Sequence, residues 1–128
     1  MQIAITMIPG DRQAPAVARD WSFVGPEALE VRLPESDDWR YPAGRLIRAL
    51  IEAFLCKAAR VSREEIDAFD HGFTGDGEPG CDPNAPYHRE HMLAELIERQ
   101  FISNVGCEWR QYKSASATYD HYLGDAQR

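Results

Sequence analysis

Residues 42–60 constrain the fold more than any other part of this chain. Leu46, Ile47, Leu50, Ile51, Phe54, Leu55 and Ala58 recur there at helical spacing and draw a wide apolar stripe. Pro42 suits a first helical turn, where its missing N–H removes no bond. Arg45 and Arg48 fall on the other side and read as a wet face. The pattern predicts a central core helix with Leu50 in its core. Such a helix needs a second layer to bury its stripe against, and the remaining elements must supply that layer.

The N-terminal third reads as strands. Ile3, Ile5 and Met7 alternate with Ala4 and Thr6, the pattern of a buried strand, and Pro9-Gly10 ends it. Asp11 and Arg12 interrupt the apolar run and no basic region precedes it, so this start is a poor signal peptide and a good first strand. Residues 14–20 are ambiguous between loop and a single helical turn. Residues 21–24 suit a short strand. Leu29, Val31 and Leu33 alternate with Glu30 and Arg32, a half-buried strand closed by Pro34.

Helical signals return after residue 60. Ser62 followed by Glu65 is a capping-box pattern, with Ile66 and Phe69 as the apolar contacts and Gly72 as the stop. Residues 71–86 hold four glycines and three prolines, a density that no regular element survives. A loop of that length in a compact domain is usually functional or mobile. A third helix is expected over residues 87–103, with Met92, Leu93, Leu96, Ile97 and Phe101 as its apolar face. Residues 105–113, with Trp109 and Tyr112, read as a closing strand, and residues 114–128 as a short helix or frayed tail. The expectation is one α+β domain over residues 1–128. It would have a small, mostly antiparallel sheet with about three helices packed on one face.

Charge is distributed unevenly. The net charge is −7, yet residues 40–60 carry five bases against one acid, and residues 62–82 carry seven acids against one base. Such an acidic block repels nucleic acid and attracts cations or a basic protein surface. No stretch of about 18 apolar residues suggests a membrane span. Three cysteines without regular spacing argue against a disulfide framework and fit a reducing cytoplasm. Cys56 belongs to the apolar helical run and Cys107 to the expected strand, which leaves Cys81 as the one cysteine placed for chemistry.

The residues suited to metal chemistry concentrate between positions 70 and 95. His88, His91 and Glu95 can share a helix face, and Cys81 can supply a fourth ligand from the loop; such a set binds zinc or another divalent metal. No paired Cys-x-x-Cys or His-Glu-x-x-His accompanies it. A calcium loop starting at Asp70 fails, because Gly72 and Cys81 occupy positions that need oxygen ligands. The loop glycines lack a following Lys-Ser or Lys-Thr and lie among acids, the wrong field for phosphate. Nothing selects a nucleophile or a carboxylate pair.

In size, acidity and absence of a catalytic motif, the chain resembles the small inhibitor proteins of phages and mobile elements, such as anti-CRISPR proteins, and bacterial immunity proteins. That resemblance implies a non-catalytic module that blocks a basic, nucleic-acid-binding surface of a larger partner. On this reading it binds no nucleic acid directly and needs no cofactor. The expected contact residues are Glu64, Glu65, Asp67, Asp70, Asp76, Glu78 and Asp82, with Trp39, Phe73 and Tyr87 as apolar anchors. The alternative is a small metal-dependent enzyme or zinc-binding protein using His71, Cys81, His88 and His91.

Overall fold

The computed structural model describes residues 1–9 and 20–115. Three strands, β1 (Gln2–Ile8), β2 (Trp21–Gly25) and β3 (Ala28–Pro34), form one sheet in the order β1-β3-β2. β2 and β3 make an antiparallel hairpin through Pro26 and Glu27, while β1 runs parallel to β3. The sheet is therefore mixed, where a mostly antiparallel one was expected. A parallel partner needs a long return connection, and residues 9–20 separate β1 from β2.

Among the described residues, helices α1 (Arg40–Ala58), α2 (Arg63–Gly72) and α3 (His88–Asn104) follow, with a 3-10 turn at Pro79–Cys81. α1 lies on β2 and β3, and α3 lies on α1 and the 3-10 turn. Leu29, Val31 and Leu33 of β3 point into this interface and are fully buried. The capping box forms as the sequence suggests. Ser62 Oγ accepts from Glu65 N at 3.1 Å, and Glu65 Oε1 accepts from Ser62 N at 3.2 Å. Ile66 then enters the core, with Phe69 packed beside it. No helix among the described residues is long and apolar enough to cross a membrane.

β1 is exposed from Gln2 to Met7, where a buried strand was expected, because among the described residues no helix packs over this edge of the sheet. Two further expectations fail. Residues 105–113 are not a strand: α3 ends in a turn, and residues 109–115 are helical. Trp109, Tyr112 and Lys113 are three and four positions apart, which puts them on one helical face. Tyr112 is wholly buried, and Trp109 lies between Arg99 and Lys113, each over its ring at 5.5 and 5.3 Å. Cys107 accordingly sits in the connection after α3 rather than in a strand.

The second failure is the polarity of the helices. α1 buries Gly44, Arg45, Ala49, Glu52, Ala53 and Cys56, whereas Leu46 and Leu50 only flank the core and Phe54 is exposed. α3 buries His91, Ala94, Glu98 and Ile102 and turns Met92, Leu93, Leu96 and Ile97 outward. The reason is tertiary. Carboxylates at Asp20, Glu78 and Glu98 meet Arg45 and Arg48 inside, and charges paired in this way are tolerated in an interior. Small residues let the helices close around that pairing. A Cβ added to Gly44 would stand 2.8 Å from both Ile102 Cδ1 and the Tyr112 hydroxyl.

This arrangement separates two leucines that the sequence treats alike. Leu33→Ala, at a site 1% exposed, is expected to cost about 2–5 kcal/mol in a denaturant titration. Leu96→Ala, at a site 58% exposed, should stay within about 0.5 kcal/mol of wild type. Equal losses would mean that α3 faces the other way.

Candidate metal centre

α3 brings His91 and Glu95 onto one face, one turn apart. The 3-10 turn at Pro79–Cys81 lies across that face and delivers Glu78 and Cys81. The His91 ring is held from behind: its Nδ1 donates to Glu52 Oε2 of α1 at 2.8 Å. The other oxygen of Glu52 accepts from Trp21 Nε1 at 3.0 Å, so the carboxylate is itself fixed. The ring edge of Tyr87 packs against His91 from the preceding turn. Gly80 completes the cradle. A Cβ there would stand 2.9 Å from His91 Cβ and closer still to the ring, so only glycine lets the turn approach.

The other ring nitrogen faces three potential ligands. His91 Nε2 is 3.5 Å from Cys81 Sγ, 3.3 Å from Glu78 Oε2 and 3.7 Å from Glu95 Oε2. The donor atoms of Cys81, His91 and Glu95 all lie within 4.8 Å of one another. His91 is buried and Cys81 exposed, so the group opens to solvent on the thiol side.

Around this group runs a buried ionic network. Arg45 holds Asp20 with two hydrogen bonds, Nε to Oδ2 at 3.0 Å and an NH2 nitrogen to Oδ1 at 2.7 Å. Arg48 reaches Glu78 at 2.5 Å and lies 3.8 Å from both Asp20 and Glu98. Lys113 also binds Glu78, at 2.7 Å, and the Tyr112 hydroxyl donates to Glu98.

These contacts set protonation. Burial alone would depress His91, but its bonds to Glu52 and Glu78 outweigh that and push it up to about 10. Burial would raise Glu52, yet the His91 bond holds it below the usual carboxylate range. Burial likewise opposes ionisation of Glu78, and Arg48, His91 and Lys113 together hold it well below that range. Glu98 goes the other way: burial dominates and raises it, and its Oε1 has no partner among the described residues.

The His91 shift fixes a pH dependence for metal-free protein. A group raised on folding stabilises fully below its unfolded value, about 6.5, and that contribution fades as pH approaches 10. Melting temperature in chelator should therefore fall from about pH 7 to 10 in wild type and fall less in His91→Gln. Parallel curves would mean that His91 carries no extra proton.

The sequence-selected residues divide as follows. Cys81, His91 and Glu95 come together as a donor set. His88 is turned aside, with its Nδ1 2.9 Å from the Gly80 carbonyl oxygen, and His71 is exposed at the end of α2. Glu64, Glu65, Asp67 and Asp76 are exposed, as a binding surface requires. Asp82 is half-buried and accepts from Asn84 N at 2.8 Å. Asp70 accepts from the Tyr87 hydroxyl, and Glu78 is drawn into the network, so neither is a free surface acid. Trp39 is 65% exposed, whereas Tyr87 is 4% exposed and belongs to the core, and Phe73 is half-buried against Phe69. Tyr87 thus offers no ring to a partner. Its burial follows from the Asp70 bond that ties α2 to the start of α3.

Sequence reasoning missed Glu52 and Glu78 as members of the site. Glu52 is the sole acid of the basic segment 40–60 and stands four residues after Arg48, a spacing that by itself points to a pair on the helix surface. Comparison with protein-family models, with curated proteins and with solved structures finds no match for this chain.

Proposed function

We propose that this chain is a metal-binding protein of the zinc class, with Cys81, His91 and Glu95 as ligands. One observation carries the reading. Bonds of about 2.0–2.3 Å in a tetrahedron place neighbouring donor atoms about 3.3–3.8 Å apart. The distances from His91 Nε2 to Cys81 and Glu95, 3.5 and 3.7 Å, fall in that range. A thiolate, an imidazole and a carboxylate suit zinc better than calcium or magnesium. Glu52 on the far nitrogen is the usual carboxylate support of a ligating histidine.

Three protein ligands leave a fourth position, for water or for Glu78 Oε2. Glu78 is a poor proton acceptor, because Arg48 and Lys113 keep it ionised. The reading is therefore a bound metal that clasps the turn at Pro79–Cys81 onto α3. Purified protein should carry about one equivalent of zinc, and a chelator should lower its melting temperature, because metal bound only by the folded state adds to stability. Metal-free protein that takes up no zinc and melts unchanged would end the proposal.

A second reading keeps the acidic protein-binding module, similar in character to phage-encoded inhibitors, that blocks a basic surface of a larger partner. It is favoured by the direction in which the charges point. Arg45 and Arg48 of the basic segment are spent on internal acids, while Glu64, Glu65, Asp67 and Asp76 remain outside. Neutralising those four together should leave the fold intact and slow association with a basic partner, an effect that salt should mimic in wild type. A nuclease-treated pull-down that captures the same proteins with the neutralised variant would reject this reading.

A further inference from the structure

We infer that the outer edge of β1 is a self-association surface, and that its partner is a second copy of this chain. β1 is an edge strand, and among the described residues it pairs in the sheet with β3 alone. The register places Ile3 beside Leu29, Ile5 beside Val31 and Met7 beside Leu33. Paired residues of neighbouring strands share a face, so the apolar layer that α1 covers on β3 continues onto β1. There it is open: Ile3, Ile5 and Met7 are 45%, 49% and 41% exposed, although the β3 residues beside them are buried.

Sheet edges are normally guarded by a lysine, a proline, a bulge or an inward charge. Gln2–Ile8 contains none of these, and residues 1–10 carry no charged side chain. In a chain of net charge −7, like-charge repulsion opposes most contacts between copies. A neutral apolar edge is where two such copies meet without it. A two-fold contact also requires a patch that complements itself, and an uncharged strip of alternating Ile and Met does so. The acidic helix α2 does not.

The geometry is an antiparallel β1–β1 pair about a two-fold axis at Ile5. Ile5 faces Ile5 of the partner copy, and Ile3 faces Met7 across the pair. Two three-stranded sheets become one of six strands, and both apolar layers join on the same side.

Light scattering or sedimentation over a wide concentration range tests this. Wild type should shift from monomer to dimer, and added salt should strengthen the dimer by screening the acidic repulsion, whereas an association driven by opposite charges would weaken. Ile5→Lys puts like charges directly opposite each other and should raise the dimer dissociation constant by about tenfold or more. Its circular dichroism should match wild type, since the side chain is exposed. Should that variant unfold, amide exchange in wild type decides: exchange across Gln2–Ile8 should slow as concentration rises. A monomer at all concentrations and salts overturns the inference. So does a dimer that Ile5→Lys leaves intact, or exchange across β1 that does not change with concentration.

Discussion

Replacing Arg45 by Ala should cost this protein about 3–5 kcal/mol, the loss expected when one partner of a buried ion pair is removed. Arg45 and Asp20 are both almost wholly buried and meet through two parallel hydrogen bonds. The alanine strips the buried Asp20 carboxylate of both hydrogen bonds and leaves it facing the more distant Arg48, 3.8 Å away. Domains of this size have only about 5–15 kcal/mol in hand, so the midpoint in urea should drop sharply. Asp20→Leu combined with Arg45→Met should cost less than Arg45→Ala alone, because an apolar pair of similar volume leaves no charge stranded. A near-neutral Arg45→Ala would restore the amphipathic reading, in which this face of α1 is wet.

Glu52→Gln and Gly80→Ala should each weaken zinc binding, although neither residue touches the metal. Glu52 fixes the His91 ring through Nδ1, and loss of such a supporting carboxylate typically costs about 10–100-fold in affinity. Gly80→Ala drives a methyl group into the His91 side chain, so either the ring or the Cys81 turn must move. Its effect on affinity should be at least as large, with about 1–3 kcal/mol of added strain in the metal-free fold. Zinc competition titrations read both. Wild-type affinity in both variants would mean that His91 does not need this cradle.

The sequence made local structure visible and left the interior hidden, for identifiable reasons. The capping box at Ser62 and Glu65 depends on four consecutive residues, so it could be read directly. The strand at Ala28–Pro34 showed itself by alternation, and its buried set was Leu29, Val31 and Leu33 as read. The inward faces of α1 and α3 were not visible, because spacing reports which residues share a face and not which face turns in. Arg45 and Arg48 turn in because Asp20, Glu78 and Glu98 wait for them at separations of 25 to 50 positions, and periodicity cannot see such partners. The donor set was half legible. His91 and Glu95 follow from helical spacing, and Cys81 from its place in the loop. Glu52 and Glu78 required the packing of α1 and the turn at Pro79–Cys81 against α3.

Cobalt substitution followed by absorption spectroscopy tests the metal centre most directly. Cobalt(II) reports its ligands, since a bound thiolate adds a charge-transfer band that nitrogen and oxygen donors do not. Wild type should bind one equivalent with that band present, and zinc should displace it. Cys81→Ser should abolish the band, while Cys56→Ser and Cys107→Ser should keep it, because Cys56 is buried in the core and Cys107 follows α3. His91→Ala should lose the metal. A wild-type protein that binds no cobalt, or a thiolate band that survives Cys81→Ser, would contradict a metal held by Cys81, His91 and Glu95.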